Sequence, residues 1–253
     1  MLLAISVGLL ALILVAGVRA SGQSLSVAWL GAGGDPSAST GPTPSVSAGS
    51  KSAAAKSSAS ANAKAKQSGR PKATKVPSSG PRQYKPANVT AGPKGKRGAL
   101  ITYNVRVQRN LLYDPDQVAR FIHSVLNDHR SWGRSGDWRL KLVGPKVKAD
   151  VSAYLVTRTT TDRLCDPLET EGKVSCFNNH RVVLNADRWA YGAKSYGKDV
   201  NAYRRNLVNH EFGHALGHDH VRCPGKGKPA PIMMQQTKGL HGCKRNPWPY
   251  PKG

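Results

Sequence analysis

Residues 200–220 read VNAYRRNLVNHEFGHALGHDH, and this stretch decides what kind of domain the chain builds. Val200, Tyr203, Leu207, Val208, Phe212 and Ala215 recur at helical spacing, so the segment Asp199 to Leu216 is predicted to be a helix that packs one face against a core. At 100° per residue His210 and His214 are about 400° apart, which puts both imidazoles on nearly the same side, one turn apart. Two such rings can share one ion. Glu211 lies one step round the helix, placed to reach a water on that ion without being a ligand itself. A helix continued to residue 220 would carry it about 15 Å along the axis from residue 210, whereas ligands about 2 Å from a common zinc ion must nearly touch. The helix therefore has to stop, and Gly217 is the residue suited to a left-handed cap that reverses the chain. His220 then swings back as a third ligand, and the fourth tetrahedral position is left for water.

Upstream, Leu100 to Val107 is β-branched and aromatic with partial alternation, the pattern of a strand. Asp114, Pro115 and Gln117 form a helix start, followed by Val118, Phe121, Ile122, Val125 and Leu126 on one amphipathic face. Arg139 to Val143, Val151 to Thr157 and Arg181 to Asn185 read as further strands. The order β-α-β-β-β-α predicts an α/β or α+β domain in which an amphipathic helix and the histidine-bearing helix accompany a small twisted sheet. All four cysteines, Cys165, Cys176, Cys223 and Cys243, fall in this part of the chain. Four cysteines can pair in three ways, and proximity favours Cys165 with Cys176 and Cys223 with Cys243. No Cys-x-x-Cys spacing is present, so disulfides are expected rather than metal ligation.

The first hundred residues have a different texture. Leu2 to Val18 is seventeen residues without a charge, about 26 Å as a helix, which is the lower limit for crossing a hydrocarbon core of about 30 Å. Residues 1–20 are expected to be a cleaved signal peptide or an uncleaved anchor, and the missing basic n-region suggests a true start further upstream. From Gly31 to Gly98 there is no Ile, Leu, Met, Phe or Trp, so residues 21–98 are expected to be a disordered basic linker that cannot offset the entropy of ordering. Residues 99–253 remain as one domain of ordinary size. The chain has 38 basic and 14 acidic side chains, a net charge of +24. Residues 1–98 hold 13 of the basic groups against the single acid Asp35. That charge either draws the linker to an anionic wall polymer or membrane surface, or merely keeps it solvated. No aromatic residues are interleaved for base stacking, so specific nucleic-acid binding is unsupported. Asn88-Val89-Thr90 matches a glycosylation sequon, a weak signal.

The full pattern His-Glu-x-x-His-x-x-Gly-x-x-His resembles the metzincin clan of zinc metallopeptidases, which pair it with a downstream methionine turn. Pro231-Ile232-Met233-Met234-Gln235 stands where that turn belongs. The resemblance implies a zincin-like fold with a metzincin-type C-terminal subdomain and Met233 beneath the metal, Met234 being the alternative. A Cys223 to Cys243 bridge would fasten the third-ligand loop to the segment after this turn. More closely, residues from about Ala99 to Tyr250 look like a family of uncharacterised exported actinobacterial proteins. Matching stretches are Val182 to Asn185, Arg188-Trp189, Tyr203-Arg204, Asn209 to Glu211, Pro229 to Pro231 and Asn246 to Tyr250. Val221 after the third histidine and Gln235 two residues after Met233 depart from better-known metzincins, so no subfamily specificity transfers.

The resemblance implies zinc-assisted hydrolysis of a peptide or protein substrate, with Glu211 as general base and His210, His214 and His220 on the metal. It also makes Val182 to Leu184 the candidate sheet edge for an extended substrate. Peptidoglycan peptides are an alternative substrate. A rival of another class is a wall- or polyanion-binding protein whose zinc is structural or vestigial. Against that reading, a closed structural site has no use for a water-activating carboxylate. A monomer is expected, secreted or held at the outer face of the cell membrane. His218 and Asp219 are either partners of the ligands or exposed loop residues, and His123, His129, His180 and His241 lack ligand spacing. No cysteine precedes residue 99, so a cysteine-switch propeptide is not expected.

Overall fold

The computed structural model of the chain describes residues 75–252. The expected leader or anchor, and the linker as far as residue 74, lie outside them. The described elements in chain order are β1 (Tyr84–Pro86), β2 (Ala99–Gln108), α1 (Pro115–Leu126), β3 (Trp138–Leu142), β4 (Val151–Val156), α2 (Arg158–Cys165), β5 (Cys176–Asn178), β6 (Arg181–Asn185), α3 (Ala186–Tyr191) and α4 (Val200–Ala215). They make a mixed α/β domain around one small sheet. Its strand order is β1-β2-β4-β6-β5, and β3 pairs with the first half of β2. β2, β3, β4 and β6 run parallel, while β1 and β5 are antiparallel additions at opposite edges.

The period-two alternation of the strands sorts the core into two layers. Tyr103, Val105 and Val107 of β2, Ala153 and Leu155 of β4, and Val182 and Leu184 of β6 are buried in the main layer. α1 and α4 close it, with Val118, Ile122 and Val125 from one helix and Leu207, Val208 and Phe212 from the other. The Phe212 ring meets Tyr103 edge-on at 5.2 Å. Each such side chain, fully buried, contributes about 1.5–3 kcal/mol of transfer free energy. The intervening residues Val156 and Val183 point the other way, to a smaller layer with Cys165, Cys176, Tyr154 and Leu164.

The helix boundaries follow the capping signals. Asp114 accepts a hydrogen bond from the Asp116 amide at 2.9 Å with Pro115 at the first helical position, and Asp199 accepts from the Ala202 amide at 2.9 Å. The order read from sequence lacks β1, β5, α2 and α3. β1 and β5 are three residues long, and α2 has the mostly polar sequence Arg-Thr-Thr-Thr-Asp-Arg-Leu-Cys, so neither gives a periodic apolar signal.

Residues 75–98 correct the expected boundary at residue 99. Val76 is buried in the main core, β1 pairs with β2, the Ala87 amide donates to the Val105 carbonyl at 2.9 Å, and Ala91 bridges to Leu142. Asn88 and Lys94 donate their amides to the side chains of Asp116 and Asn127. Composition missed this arm because what orders it is backbone hydrogen bonding to a preformed sheet more than apolar burial. Among the described residues no helix is long and apolar enough to cross a membrane.

Candidate metal centre

α4 carries His210 and His214 on the side facing a cavity of about 470 Å³, which both rings line together with Asn206, Leu207 and Glu211. The helix ends where the sequence places its stop. Gly217 takes φ +87°, its amide donates to the His214 carbonyl at 3.0 Å, and the His218 amide donates to the Gly213 carbonyl at 3.0 Å. This is the paired 6→1 and 5→2 bonding of a Schellman cap, and it turns the chain back toward the helix. His220 returns as expected: its Nε2 lies 3.2 Å from His210 Nε2 and 3.1 Å from His214 Nε2.

Those distances carry chemical information because the other ring nitrogens are already committed. His210 Nδ1 lies 2.9 Å from the Ile232 carbonyl and His214 Nδ1 lies 2.8 Å from the His218 carbonyl. A carbonyl only accepts, so both Nδ1 atoms carry the proton and both Nε2 atoms of the neutral rings present bare lone pairs. Burial holds His210 well below its ordinary pKa, at about 3. Burial also lowers His214, and lowers His220 with a further push from His214. His220 can donate one proton at most to this meeting of three nitrogens, so a shared cation is the arrangement's natural completion. Nitrogens about 2.0–2.1 Å from a tetrahedral zinc sit about 3.3 Å from one another, close to the spacing here. The donor set therefore fits a divalent metal ion.

Glu211 is buried on the same cavity wall, and desolvation pushes its carboxyl up to about 8. Beneath the helix, Met233 is buried against Gly213, where a Cβ would collide with Met233 Sδ and come within 2.7 Å of Trp132 Cζ2. Met234 belongs to a different cluster, with Ala230 and Cys243. The Val221 amide donates to the Met233 carbonyl at 3.2 Å, tying the segment after the third histidine to this turn. Both disulfides join the pairs that proximity favoured, Cys165 with Cys176 and Cys223 with Cys243. Each braces one wall of the cleft. Disulfides of this kind are typical of extracytoplasmic proteins.

Val182 to Leu184 is not a sheet edge. β6 is paired on both sides, by β4 and by β5, and these three residues are fully buried. The outer strand is β5, and Cys176 and Phe177 line the cavity with Ser175. A three-residue strand just past a disulfide loop offers no pattern to read, which is why the longer neighbour was taken instead.

Other contributors were also missed. Trp132 stacks on His218 at 4.4 Å, and its Nε1 donates to the Asn209 carbonyl at 2.9 Å. His218 and Asp219 are both exposed and both line the cavity, and His218 supports the site through its ring against Trp132 and its carbonyl against His214 Nδ1. Asn209 accepts from Ser131 Oγ at 2.7 Å and donates to the Pro247 carbonyl at 2.9 Å, anchoring α4 to the C-terminal segment. No sequence signal links Trp132 or Pro247 to the histidines. Asn206 was findable, because it lies one helical turn before His210 on the same face.

Comparison with curated proteins and with solved structures gave no match. A family model does match, over residues 70–251, an extent that takes in the N-terminal arm and the whole cleft. The chain accordingly belongs to the family described as protein of unknown function DUF3152.

Proposed function

We propose that the protein is an exported zinc-dependent metallopeptidase of metzincin type, with a zincin-like fold. The observation that carries this reading is the convergence of three imidazole nitrogens beside a buried carboxylate in one open cavity. His210, His214 and His220 would hold the metal, which when bound supplies a Lewis acid able to bring water toward neutral acidity and to polarise a carbonyl. The chain's own groups do the rest. The Ile232 and His218 carbonyls fix the tautomers and ring orientations of two ligands. Glu211, on a rigid helix, would be held ionised by the charge of a bound cation, and so could accept the proton of the attacking water and return it to the leaving amine. An extended peptide adds to the free side of β5, where backbone hydrogen bonding holds it in register across the cavity. The two disulfides support export, and the excess of basic residues favours a location near anionic surfaces.

A structural or vestigial metal would not require a carboxylate inside the cavity, so the binding-protein reading gains nothing from this arrangement. The test is to incubate the purified chain with a diverse peptide library and with cell-wall fragments, each with and without chelator. Chelator-sensitive cleavage that disappears in Glu211→Gln, with metal content intact, is expected. Cleavage of neither substrate set would return the protein to the binding class.

A further inference from the structure

The loop closed by Cys223 and Cys243 lines the cavity with Gln235, Thr237 and Lys238, and its two ends form a separate surface of one charge. Residues 99–220 balance 18 basic with 13 acidic side chains, whereas residues 221–253 set seven basic against none. The ends are stitched side by side. The Gly227 amide donates to the Gly242 carbonyl, the Lys244 amide to the Lys228 carbonyl and the Ala230 amide to the Lys244 carbonyl, each at 2.8 Å. Arg222, Lys226, Lys228 and Lys244 stand exposed on and beside these ends, and none of them makes an ion pair among the described residues. Like charges fixed on one rigid surface repel one another, and an anionic partner turns that cost into attraction.

Resting on the peptidase reading above, we propose that this basic lobe is a docking surface for an acidic run in the protein substrate, outside the cavity and to one side of the bond being cut. The lobe begins next to the metal ligands. Cys223 is three residues past His220, at most about 11 Å of extended chain. The bridge then brings Lys244 to the same place, with 5.8 Å between the Cα atoms of Cys223 and Cys243. An extended peptide advances about 3.3 Å per residue, so residues about three to six positions from the bond lie over Arg222 and Lys244 when the chain leaves the cavity on this side. Lys238 lines the cavity from the same loop, so positive charge continues to its wall. The cavity is not uniformly positive, however, because the exposed residues Glu169 and Asp219 also line it. A phosphodiester polymer carries charge on every unit and meets those carboxylates, whereas a protein can place neutral residues in the cavity and its own carboxylates beyond it. An acidic protein segment is therefore the occupant that fits both surfaces.

The experiment uses peptide libraries that share a randomised neutral core and carry a run of four Glu or four Gln at one end, each end in turn. Cleavage by the full chain is expected to rise tenfold or more in kcat/KM with Glu at one of the two ends. That gain should disappear at about 1 M salt, where exposed charges are screened within about 3 Å. Lys226→Glu combined with Lys244→Glu should remove it. Lys146→Glu combined with Lys148→Glu changes the net charge equally at exposed positions that do not line the cavity, and should retain it. Equal rates for Glu and Gln runs at both ends, or an equal loss in the two variant pairs, would overturn the proposal. Dissociation constants of labelled peptides with the same runs for Glu211→Gln, measured by fluorescence anisotropy, judge the lobe independently of turnover. Equal affinity for Glu and Gln runs there rejects the docking surface even if hydrolysis is confirmed. A tenfold preference for Glu, lost in the Lys226 and Lys244 pair, supports it even if no peptide is cleaved, the outcome that rejects the peptidase reading. Polyphosphate of equal charge that binds more tightly than the Glu run would assign the lobe to a phosphate polymer and overturn the proposal.

Discussion

Each wall of the cleft includes a loop closed by a disulfide, yet only one of the two loops is tied to the histidine cluster, through the Ile232 carbonyl against His210 Nδ1. On one side Cys165 and Cys176, eleven residues apart, enclose Leu168, Glu169, Thr170 and Val174, which line the cavity. This loop hangs on Asp162, whose carboxylate accepts from Thr170 Oγ1 and from the Gly172 amide. On the other side Cys223 and Cys243, twenty residues apart, enclose the Met233 turn just after His220. That wall is locked by side chains reaching backbone, with Asn246 donating to the Ala230 and Trp248 carbonyls at 2.9 and 2.8 Å and Gln236 donating to the Asn246 carbonyl at 2.8 Å. The contrast separates two demands. A metal ligand must be held to a fraction of an ångström, a demand that the proposed metal site places on the second wall and not on the first.

The largest expected effect lies in the metal set itself. His214→Ala should abolish stoichiometric zinc after dialysis, a loss larger than the roughly 10- to 100-fold that removal of an outer hydrogen-bond partner costs. Full zinc retention would break the assignment. Next come the disulfides, where the two walls should part company. Chain-entropy arguments give each bridge about 3 kcal/mol of stability, which denaturant titration can measure. Replacing Cys223 and Cys243 with alanine should also weaken zinc binding, because the turn that supports α4 loses its brace. Replacing Cys165 and Cys176 should destabilise the fold by a similar amount yet leave zinc affinity within a few-fold. Equal effects on zinc from both pairs would erase the contrast between the walls.

A smaller effect is expected inside the metal wall. Gly213→Ala drives a methyl group into Met233 Sδ and Trp132, a clash that overpacking data put at about 1–3 kcal/mol. Thermal unfolding in chelator isolates that packing cost, and an unchanged melting temperature would mean that Met233 does not support the helix.

The smallest effect is a pH dependence of the metal-free protein. Glu211 has its pKa raised by burial to about 8, so between about 4.5 and 8 the folded chain keeps a proton that the unfolded chain has lost. Stability therefore declines as pH rises through that window. The histidines act with the opposite sign: His210 titrates near 3 when folded, so stability also declines as pH falls below its ordinary 6.5. Above pH 6.5 the Glu211 contribution stands alone of these two, and Glu211→Gln should remove the decline of melting temperature between pH 6.5 and 8. A decline of undiminished size in that variant would place the titrating group elsewhere.

How much of this was legible differs between the same two regions. The metal wall was readable because each step used local chemistry: a helical repeat for His210 and His214, a glycine at the cap, a histidine three residues beyond it. The bridging of Cys223 to Cys243 and the choice between Met233 and Met234 were consistent with that reading, although only packing against Gly213 separates the two methionines. The wall closed by Cys165 and Cys176 was largely illegible. Its strand β5 is too short to alternate, and its loop has no period, so the sheet edge was assigned to Val182 to Leu184 one strand too far in. The arm from Lys75 to Gly98 failed for a related reason. Its order comes from hydrogen bonds to β2, α1 and α2, in which residue identity hardly matters, as when the Thr159 amide donates to the Ser78 carbonyl.

The central claim is that His210, His214 and His220 together hold one divalent metal ion. Zinc-edge X-ray absorption on the purified full chain tests it directly. One zinc per chain with three imidazole nitrogens and one light oxygen ligand at about 2.0–2.1 Å is the predicted result. Absence of stoichiometric metal after zinc loading, or a first shell containing sulfur, would contradict it.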